Sequence, residues 1–410
     1  MSVEPFTIAA NEAREQAIKQ RVTDFVWPAQ MQLQPEENAW AYGMDQDWLK
    51  DFCAYWVNEY CWQDTVDELN RFDHFTAEMD GLKIHFIRED GSGENPEALL
   101  MTHGWPGSVY EFIEVIDRLA HPEKYGGQAE DGLTVICPSL PGYGFSSAPP
   151  RPIGQVTTAA LWDRLMREEL GFETYIAQGG DWGSVVTSLL GLNHSVEKGG
   201  GCKAIHINMY GLRSETAPKT EEEEKWLAEA AAIMQAESAY LQVQVTKPQT
   251  LAYAMSEGPV GAAAWILEKF YAWSDLPLTD GKPDMLKRYS HHALASNLMI
   301  YLMTDSFMSA IWFYRGFAEE MPHIPPGEKI AVPVGVGKFA DTYLSFPPRR
   351  MMEDNYDIAH WAEFKDAGHF AAMENPEQFV GAIFDFVAAL QANPLRPISR
   401  NFCRRASRNS

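Results

Sequence analysis

The stretch that most constrains this chain is GGDWGS, residues 179–184, because small residues on both sides of Asp181 allow a tight turn there. An apolar segment, TYIAQ, precedes it, and a second one, VVTSLLGLN, follows it. This order predicts a strand, a sharp turn and a helix, with the central side chain exposed at the end of the strand. At such a turn a serine is usual, so the aspartate needs a chemical explanation.

Short apolar runs alternate with segments of helical periodicity along much of the chain. Four runs have the length and composition of strands: ALLMT, LTVIC, AIHINM and IAVPVGVGKF. A hairpin is predicted around Asp80-Gly81, and SVYEFIEVIDRLA has the period of a helix. Apolar strands that alternate with helices predict an α/β fold, with a mostly parallel sheet and helices on both of its faces.

The strand signals are unevenly distributed, and this predicts the domain organisation. Residues 1–75 show helical pattern without strand alternation and are predicted to form an N-terminal helical arm. Residues 213–315 carry almost no strand signal and are predicted to be a helical cap inserted into the core. The core then consists of residues 76–212 and 316–393. Residues 394–410 are basic and poor in apolar side chains, so we expect a disordered tail.

The charge balance excludes several classes of partner. The chain has 33 basic and 57 acidic residues and a net charge of −24, which repels nucleic acid and anionic membranes. Five cysteines without paired spacing indicate reduced thiols. No signal peptide is recognisable, and no segment has the roughly 18–20 apolar residues of a membrane span. We therefore expect a soluble cytoplasmic protein, and a homodimer is an open possibility.

Three side chains follow one another in the order that α/β-hydrolases use for nucleophile, acid and histidine. Asp181 comes first, Asp341 follows the predicted strand 330–339, and His369 lies in DAGHF, a turn before the last predicted helix. A lone histidine is usually a surface or core residue. The place of His369 in this order favours a catalytic base instead.

The segment HGWPGS, residues 103–108, ends a predicted strand where this fold supplies one backbone N–H to an oxyanion. The second donor comes from the residue after the nucleophile. We assign the two donors to the backbones of Trp105 and Trp182. A segment of this kind is common in hydrolases, but together with the glycine-flanked turn it is specific.

An aspartate at the turn indicates displacement at saturated carbon. Its carboxylate, with an ordinary pKa of about 4, is a nucleophile without help from a base, and it forms an ester with an epoxide or an alkyl halide. The histidine can then activate water against that ester. An epoxide oxygen also needs a proton donor, and Tyr240 and Tyr314 in the helical segment are the candidates.

Taken together, HGWPGS, TVICPSLPGYGFS, QGGDWGS, ILEKFYAW and GHFAAMENPE resemble the microsomal-type epoxide hydrolases, which include insect juvenile hormone epoxide hydrolases and soluble microbial relatives. The resemblance runs from about Trp48 to about Val387. It implies an α/β-hydrolase core, a helical cap, an N-terminal arm and the hydrolysis of epoxides to diols. It also implies the roles of four residues, the nucleophile Asp181, the charge-relay histidine His369, and the cap tyrosines Tyr240 and Tyr314 that hold the epoxide oxygen.

The chain departs from that family in two places. The N-terminal membrane anchor of mammalian and insect members is missing, so the resemblance implies a soluble form. In KFADTYL an alanine replaces the usual proline, and an ungapped match places Thr342 at the position of the acid. We assign the acid to Asp341, one residue earlier, because a threonine cannot stabilise an imidazolium. Glu353, Asp354 and Asp357 are the alternatives.

Two other functions remain open. A haloalkane dehalogenase shares the aspartate and the tryptophan after it, but it typically has a second Trp or Asn donor instead of a tyrosine pair. A receptor built on an inactive hydrolase fold would tend to lose a catalytic residue, whereas the nucleophile and the histidine are both present. We expect an epoxide and water as reactants, without cofactor or metal. Adjacent residues such as His291 and His292 cannot face one ion from a helix.

Overall fold

The computed structural model describes residues 3–34, 37–214 and 217–392. The strands are β1 (Val3–Phe6), β2 (Asp73–Met79), β3 (Leu82–Glu89), β4 (Ala98–Thr102), β5 (Thr134–Pro138), β6 (Tyr175–Gly179), β7 (Cys202–Ile207), β8 (Leu278–Thr279), β9 (Lys282–Pro283), β10 (Ile330–Lys338) and β11 (Tyr356–Glu363). The helices of the first half are α1 (Glu12–Thr23), α2 (Gln46–Asn58), α3 (Trp62–Leu69), α4 (Ile116–Ala120), α5 (Gln155–Arg164) and α6 (Asp181–Asn193). Those of the second half are α7 (Glu221–Glu237), α8 (Ala239–Thr246), α9 (Pro248–Glu257), α10 (Pro259–Trp273), α11 (His291–Met303), α12 (Phe307–Glu320), α13 (Arg349–Glu353), α14 (Ala371–Glu374) and α15 (Pro376–Ala392).

One large sheet has the strand order β1-β2-β3-β5-β4-β6-β7-β10-β11. Its first pairings are antiparallel, up to that of β3 with β5, and the pairings from β5 to β11 are parallel. Every residue of β4, β5 and β6 is buried, as expected for strands that are covered on both faces. The predicted α/β-hydrolase fold with a mostly parallel sheet is confirmed.

The predicted hairpin joins β2 to β3 through Asp80 and Gly81, whose φ values of 52° and 77° suit a tight two-residue turn. The N-terminal segment differs from the prediction in one respect. Strand β1 pairs antiparallel with β2 at the edge of the sheet, although no strand was expected among residues 1–75. Four residues, VEPF, are too few to show an alternating pattern, so the partner strand decides their conformation.

The helices α7 to α12 lie between β7 and β10, and we call them the helical insertion. The predicted cap boundary at residue 315 falls inside α12. The helix predicted from SVYEFIEVIDRLA is divided into a 3₁₀ turn at Val109–Phe112 and the short α4. The predicted tail, residues 394–410, lies outside the described residues, and the proposed domain division stays a prediction. Within the described ranges no helix is both long and apolar enough to cross a bilayer.

The register of the central strands positions the site. Thr102 at the end of β4 is aligned with Gly179 at the end of β6, and Gly179 is aligned with Ile207 at the end of β7. The chain therefore leaves three neighbouring strands at the same edge of the sheet. Residues that directly follow these strands, among them Asp181 and Asn208, meet at that edge.

Candidate active site

Asp181 is the first residue of α6, and only Gly180 separates it from the end of β6. Its φ of 46° is left-handed, a strained conformation for a residue other than glycine. A Cβ on Gly179 would lie 2.2 Å from the Gly183 carbonyl, and a Cβ on Gly183 would lie 1.8 Å from the Thr102 carbonyl oxygen. Because backbone atoms cannot move aside, only glycine fits at both positions. The tight turn predicted from GGDWGS is therefore present, and sterics within a few residues fix it.

The backbone N–H of Trp105 donates a hydrogen bond of 2.8 Å to Asp181 Oδ1. This is the contact expected of one oxyanion donor. Trp182 directly follows Asp181 in the first turn of α6, and its ring packs edge-on against Tyr314, with centroids 4.8 Å apart. The role of the Trp182 N–H as second donor stays a prediction.

The imidazole of His369 bridges two carboxylates. Its Nε2 lies 3.3 Å from Asp181 Oδ2, and its Nδ1 lies 2.8 Å from Asp341 Oδ2. The other oxygen of Asp341 accepts the backbone N–H groups of Tyr343 and Leu344, both at 2.8 Å. Asp341 and His369 are both buried. The structure therefore brings together the three residues predicted as nucleophile, acid and base.

The charge state of His369 depends on these carboxylates. Burial alone would lower the pKa of His369, since it removes water from the charged imidazolium. The charges of Asp341 and Asp181, with the hydrogen bond to Asp341, outweigh burial and raise the pKa to about 10. His369 is therefore protonated at neutral pH. Neutralising Asp181 as an ester would remove part of that stabilisation and lower the pKa of His369.

Tyr240 on α8 and Tyr314 on α12 meet at the ring of Trp105. Their ring centroids are 5.9 Å apart, and they lie 5.2 Å and 5.7 Å from the Trp105 ring. Burial, and after it the charges of a neighbouring phenol and Asp181, raise the pKa of both phenols well above its ordinary value. Both hydroxyls are therefore protonated and available as donors near Asp181.

The other acids considered from the sequence have different surroundings. Glu353 and Asp354 form ion pairs with nearby Arg and Lys side chains, and Asp357 lies on β11. The hydroxyl of Thr342, the residue at the ungapped acid position, donates to the carbonyl of Ala272 at 3.3 Å. The geometry supports Asp341 as the partner of the histidine, and its catalytic role stays a prediction.

Two side chains of the site were not recognised in the sequence. The hydroxyl of Tyr343 lies 3.2 Å from that of Tyr240, so it extends the tyrosine pair towards the loop of the acid. Glu111 lines the same cavity as Asp181 and His369. Its segment has the periodicity of a surface helix, which gives no signal for a buried carboxyl. For Tyr343, its place two residues after Asp341 was the only available signal.

The loop that carries His369 is tied to two further elements. The backbone N–H of His369 donates a hydrogen bond of 3.1 Å to the backbone carbonyl of Trp273, the last residue of α10. The carboxylate of Glu374 on α14 accepts the N–H groups of Gly368 at 2.7 Å and Phe370 at 3.0 Å. The position of His369 therefore depends on the helical insertion as well as on its own loop.

Metal ligands do not converge in the part of the chain that the structure describes: no three His, Cys, Asp or Glu side chains are suitably grouped there. At the start of α11, His292 Nε2 lies 3.1 Å from Glu68 Oε2. Its neighbour His291 stacks on Tyr55, with ring centroids 4.9 Å apart. Both histidines thus contact the N-terminal helices.

Comparison with known proteins extends these observations over most of the chain. Residues 3–112 match the family described as "Epoxide hydrolase N terminus", and residues 97–228 match "alpha/beta hydrolase fold". A putative epoxide hydrolase of Stigmatella aurantiaca is 36% identical over 95% of this chain and 86% of its own length. Epoxide hydrolase 1 of Oryctolagus cuniculus is 32% identical over 95% and 90% of the two chains.

A solved structure also resembles this chain over nearly its whole length. Juvenile hormone epoxide hydrolase from the silkworm Bombyx mori superposes with a TM-score of 0.79 at 29% identity, covering 95% of this chain and 94% of that one. These relatives favour an epoxide hydrolase over the dehalogenase and receptor alternatives. The sequence resemblance is thereby confirmed. Since identity above 30% extends over nearly the whole chain, and since the histidine and the tyrosine pair surround Asp181, the chain belongs to the epoxide hydrolase family, in the group that includes the juvenile hormone epoxide hydrolases.

Proposed function

We propose that this chain converts epoxides to vicinal diols through an ester between Asp181 and the substrate. The observation that carries the proposal is the environment of one carboxylate. Asp181 Oδ1 accepts the N–H of Trp105 at 2.8 Å, and Oδ2 lies 3.3 Å from His369 Nε2. An oxyanion donor and a base therefore both contact the group that would carry the ester.

In the first half-reaction Asp181 attacks an epoxide carbon, and the ring C–O bond breaks as the new ester bond forms. The oxygen released takes a proton from Tyr240 or Tyr314, which burial keeps protonated. Asp181 is then neutral, so the pKa of His369 falls, and its proton passes to the phenolate. The site now holds an ester, two phenols and a neutral imidazole.

In the second half-reaction neutral His369 takes a proton from water as the water oxygen attacks Cγ of Asp181. The Trp105 N–H stabilises the negative charge that develops on Oδ1. When the intermediate collapses, the diol leaves with the Asp181 oxygen that attacked, and the proton of the regenerated carboxyl neutralises its alkoxide. Asp181 is again ionised and His369 again protonated, so protons and charge balance over the cycle.

Isotope labelling tests the ester directly. In a single turnover with excess enzyme in ¹⁸O-water, the label should appear in the carboxyl of Asp181, and the first diol should carry unlabelled oxygen. Peptide mass spectrometry locates the label. An Asp181→Ala variant treated in the same way is the control and should neither turn over nor take up label. Label in the first diol with none in Asp181 would mean direct attack by water and would contradict the ester.

A halide assay distinguishes the epoxide hydrolase from the haloalkane dehalogenase alternative. If the tyrosine pair selects an oxygen leaving group, the enzyme should open styrene oxide and release no halide from a chloroalkane of similar size. The physical reason is that a departing oxygen needs the proton that a phenol supplies, whereas a halide does not. Halide release at a rate comparable to epoxide opening would favour the dehalogenase.

A further inference from the structure

A small cavity adjoins Asp181. Its polar lining includes Glu111, Asp181, Asn208 and His369. Its volume is about 10 Å³, and one buried water molecule needs roughly 10–15 Å³ of cavity space. The cavity thus has the size of a single water molecule.

A buried water is stable where about two to four polar groups can bind it. Among the described residues His369 Nε2 has no hydrogen-bond partner, although it lies 3.3 Å from Asp181 Oδ2. The amide of Asn208 packs against Gly180, where a Cβ would lie 2.6 Å from its Nδ2. Its Oδ1 accepts from Gln178 Nε2 at 2.8 Å, which fixes the orientation of the amide.

Glu111 adds an acceptor to the lining of this cavity. It lies on the 3₁₀ turn after HGWPGS, and its Oε1 is 1.4 Å from the position that a Cβ on Gly107 would occupy. The carboxyl therefore packs directly on the backbone of that loop. Burial, and then the charge of Asp181, raise the pKa of Glu111 to about 8. At neutral pH it is mostly a neutral acid, which accepts a hydrogen bond without placing a second negative charge beside Asp181.

We propose that Glu111 is a positioning residue for the water that hydrolyses the ester, an inference that rests on the proposed function. The water lies in the cavity with one hydrogen directed to His369 Nε2. Its other hydrogen is directed to the C=O oxygen of the neutral side-chain carboxyl of Glu111. Its lone pair then faces Cγ of Asp181. As the O–Cγ bond forms, one proton moves to Nε2, and the carbonyl electron pair moves to Oδ1, which the Trp105 N–H holds.

Two substitutions separate positioning from structure. Glu111→Leu removes the acceptor, whereas Glu111→Gln keeps a neutral carbonyl of the same shape. After rapid mixing with styrene oxide, the fluorescence of Trp105 and Trp182 reports ester formation, and intact mass reports ester decay. We expect Glu111→Leu to keep the parent rate of alkylation and to hydrolyse the ester about tenfold to a hundredfold more slowly, since small misplacements of a reacting group cost this much. Glu111→Gln should restore most of that rate.

Glu114→Gln is the matched control, since Glu114 is three residues away, its side chain is 60% exposed, and it should behave as the parent does. Ester decay at the parent rate in Glu111→Leu would overturn the inference. An equal fall in alkylation and hydrolysis, or a failure of Glu111→Gln to restore hydrolysis, would overturn it too. If the parent enzyme forms no ester, the proposed function itself has failed, and this result is distinct from the other three.

Discussion

The proposed nucleophile and the proposed base of this site are held by two different kinds of structure. Asp181 is fixed locally, by its own left-handed φ of 46° and by glycines two residues away on each side. His369 is fixed by residues distant in the chain: Asp341, 28 positions earlier, and Trp273 at the end of α10. In the proposed mechanism, each half-reaction therefore has its own structural support. Damage to the distant contacts should spare alkylation and slow hydrolysis.

The largest effect that separates the two regions is expected from His369→Gln. Asp181 needs no base to attack an epoxide, but water needs one, so alkylation should proceed and the ester should persist. Steady-state turnover should fall by roughly 10⁴-fold or more, as when a catalytic histidine is removed from a hydrolase. Intact mass spectrometry should show the protein with one substrate added. Turnover at the parent rate would remove His369 from the mechanism.

Asp341→Asn should come next, with turnover lower by about 10⁴-fold, the loss seen when the acid of a serine protease triad is made neutral. The amide cannot stabilise the imidazolium that forms as water is deprotonated. Alkylation, followed by tryptophan fluorescence, should again be spared. Asp354→Asn is the matched control. If Asp341→Asn is nearly as active as the parent while a change at Glu353, Asp354 or Asp357 is severe, the acid has been assigned wrongly.

Substitution of Tyr240 or Tyr314 should slow alkylation, the step that the changes at His369 and Asp341 should spare. Tyr240→Phe and Tyr314→Phe each remove one donor to the epoxide oxygen, so each should slow alkylation by about 10²-fold, the usual loss for one oxyanion donor. The ring stays, so packing on Trp105 and the melting temperature should change little. Tyr253→Phe, at a residue that is 64% exposed on α9, is the control. An unchanged alkylation rate in both variants would leave the epoxide without its acid.

Glu374→Gln tests the support of the His369 loop at a residue that is not assigned a role in the reaction. The carboxylate accepts N–H groups from Gly368, Phe370 and Asp275, and an amide can serve them with only one oxygen. Stability should fall by about 1–3 kcal/mol for the unsatisfied donor. Hydrolysis should slow by a smaller factor than in Asp341→Asn, with alkylation kept. The exposed Glu377→Gln is the control, and equal slowing of both steps would contradict a role confined to the loop of His369.

A last prediction concerns the pH dependence of stability. The folded protein raises the pKa of His369 to about 10, above its ordinary value of about 6.5. The stability from this shift is fully present below about pH 6.5 and is lost as the pH rises through about 10. The difference in unfolding free energy between the parent and His369→Gln should therefore shrink over that interval. Denaturant titrations at several pH values measure it, and a constant difference would contradict the shift.

Local features were predictable from the sequence. The glycines around Asp181 define the turn through backbone sterics alone, and strand periodicity predicts the parallel sheet that carries it. Chain order then predicted Asp341 and His369 as the residues to examine. The choice of Asp341 over its neighbours depends on the hydrogen bonds that its Oδ1 accepts in the folded loop, which no pattern of residue types displays.

Tertiary features were not predictable. Glu111 resembles a surface glutamate because its segment has helical period, yet a 3₁₀ turn directs it into the cavity. Strand β1 is formed by four residues that become a strand by pairing with β2. In each case contacts across the fold override the local pattern.

The hydrogen bond from the backbone N–H of His369 to the carbonyl of Trp273 limits how the helical insertion can be exchanged. Helical insertions are natural places to exchange when a new substrate range is wanted, by evolution or in a chimera. Here a wholesale exchange would also replace the acceptor that orients the base. Tyr240, whose hydroxyl contacts Tyr343 beside the acid, makes a second such link. An exchange that keeps the end of α10 and Tyr240 should therefore preserve both links to the loops of His369 and Asp341, whatever replaces the rest of the insertion surface.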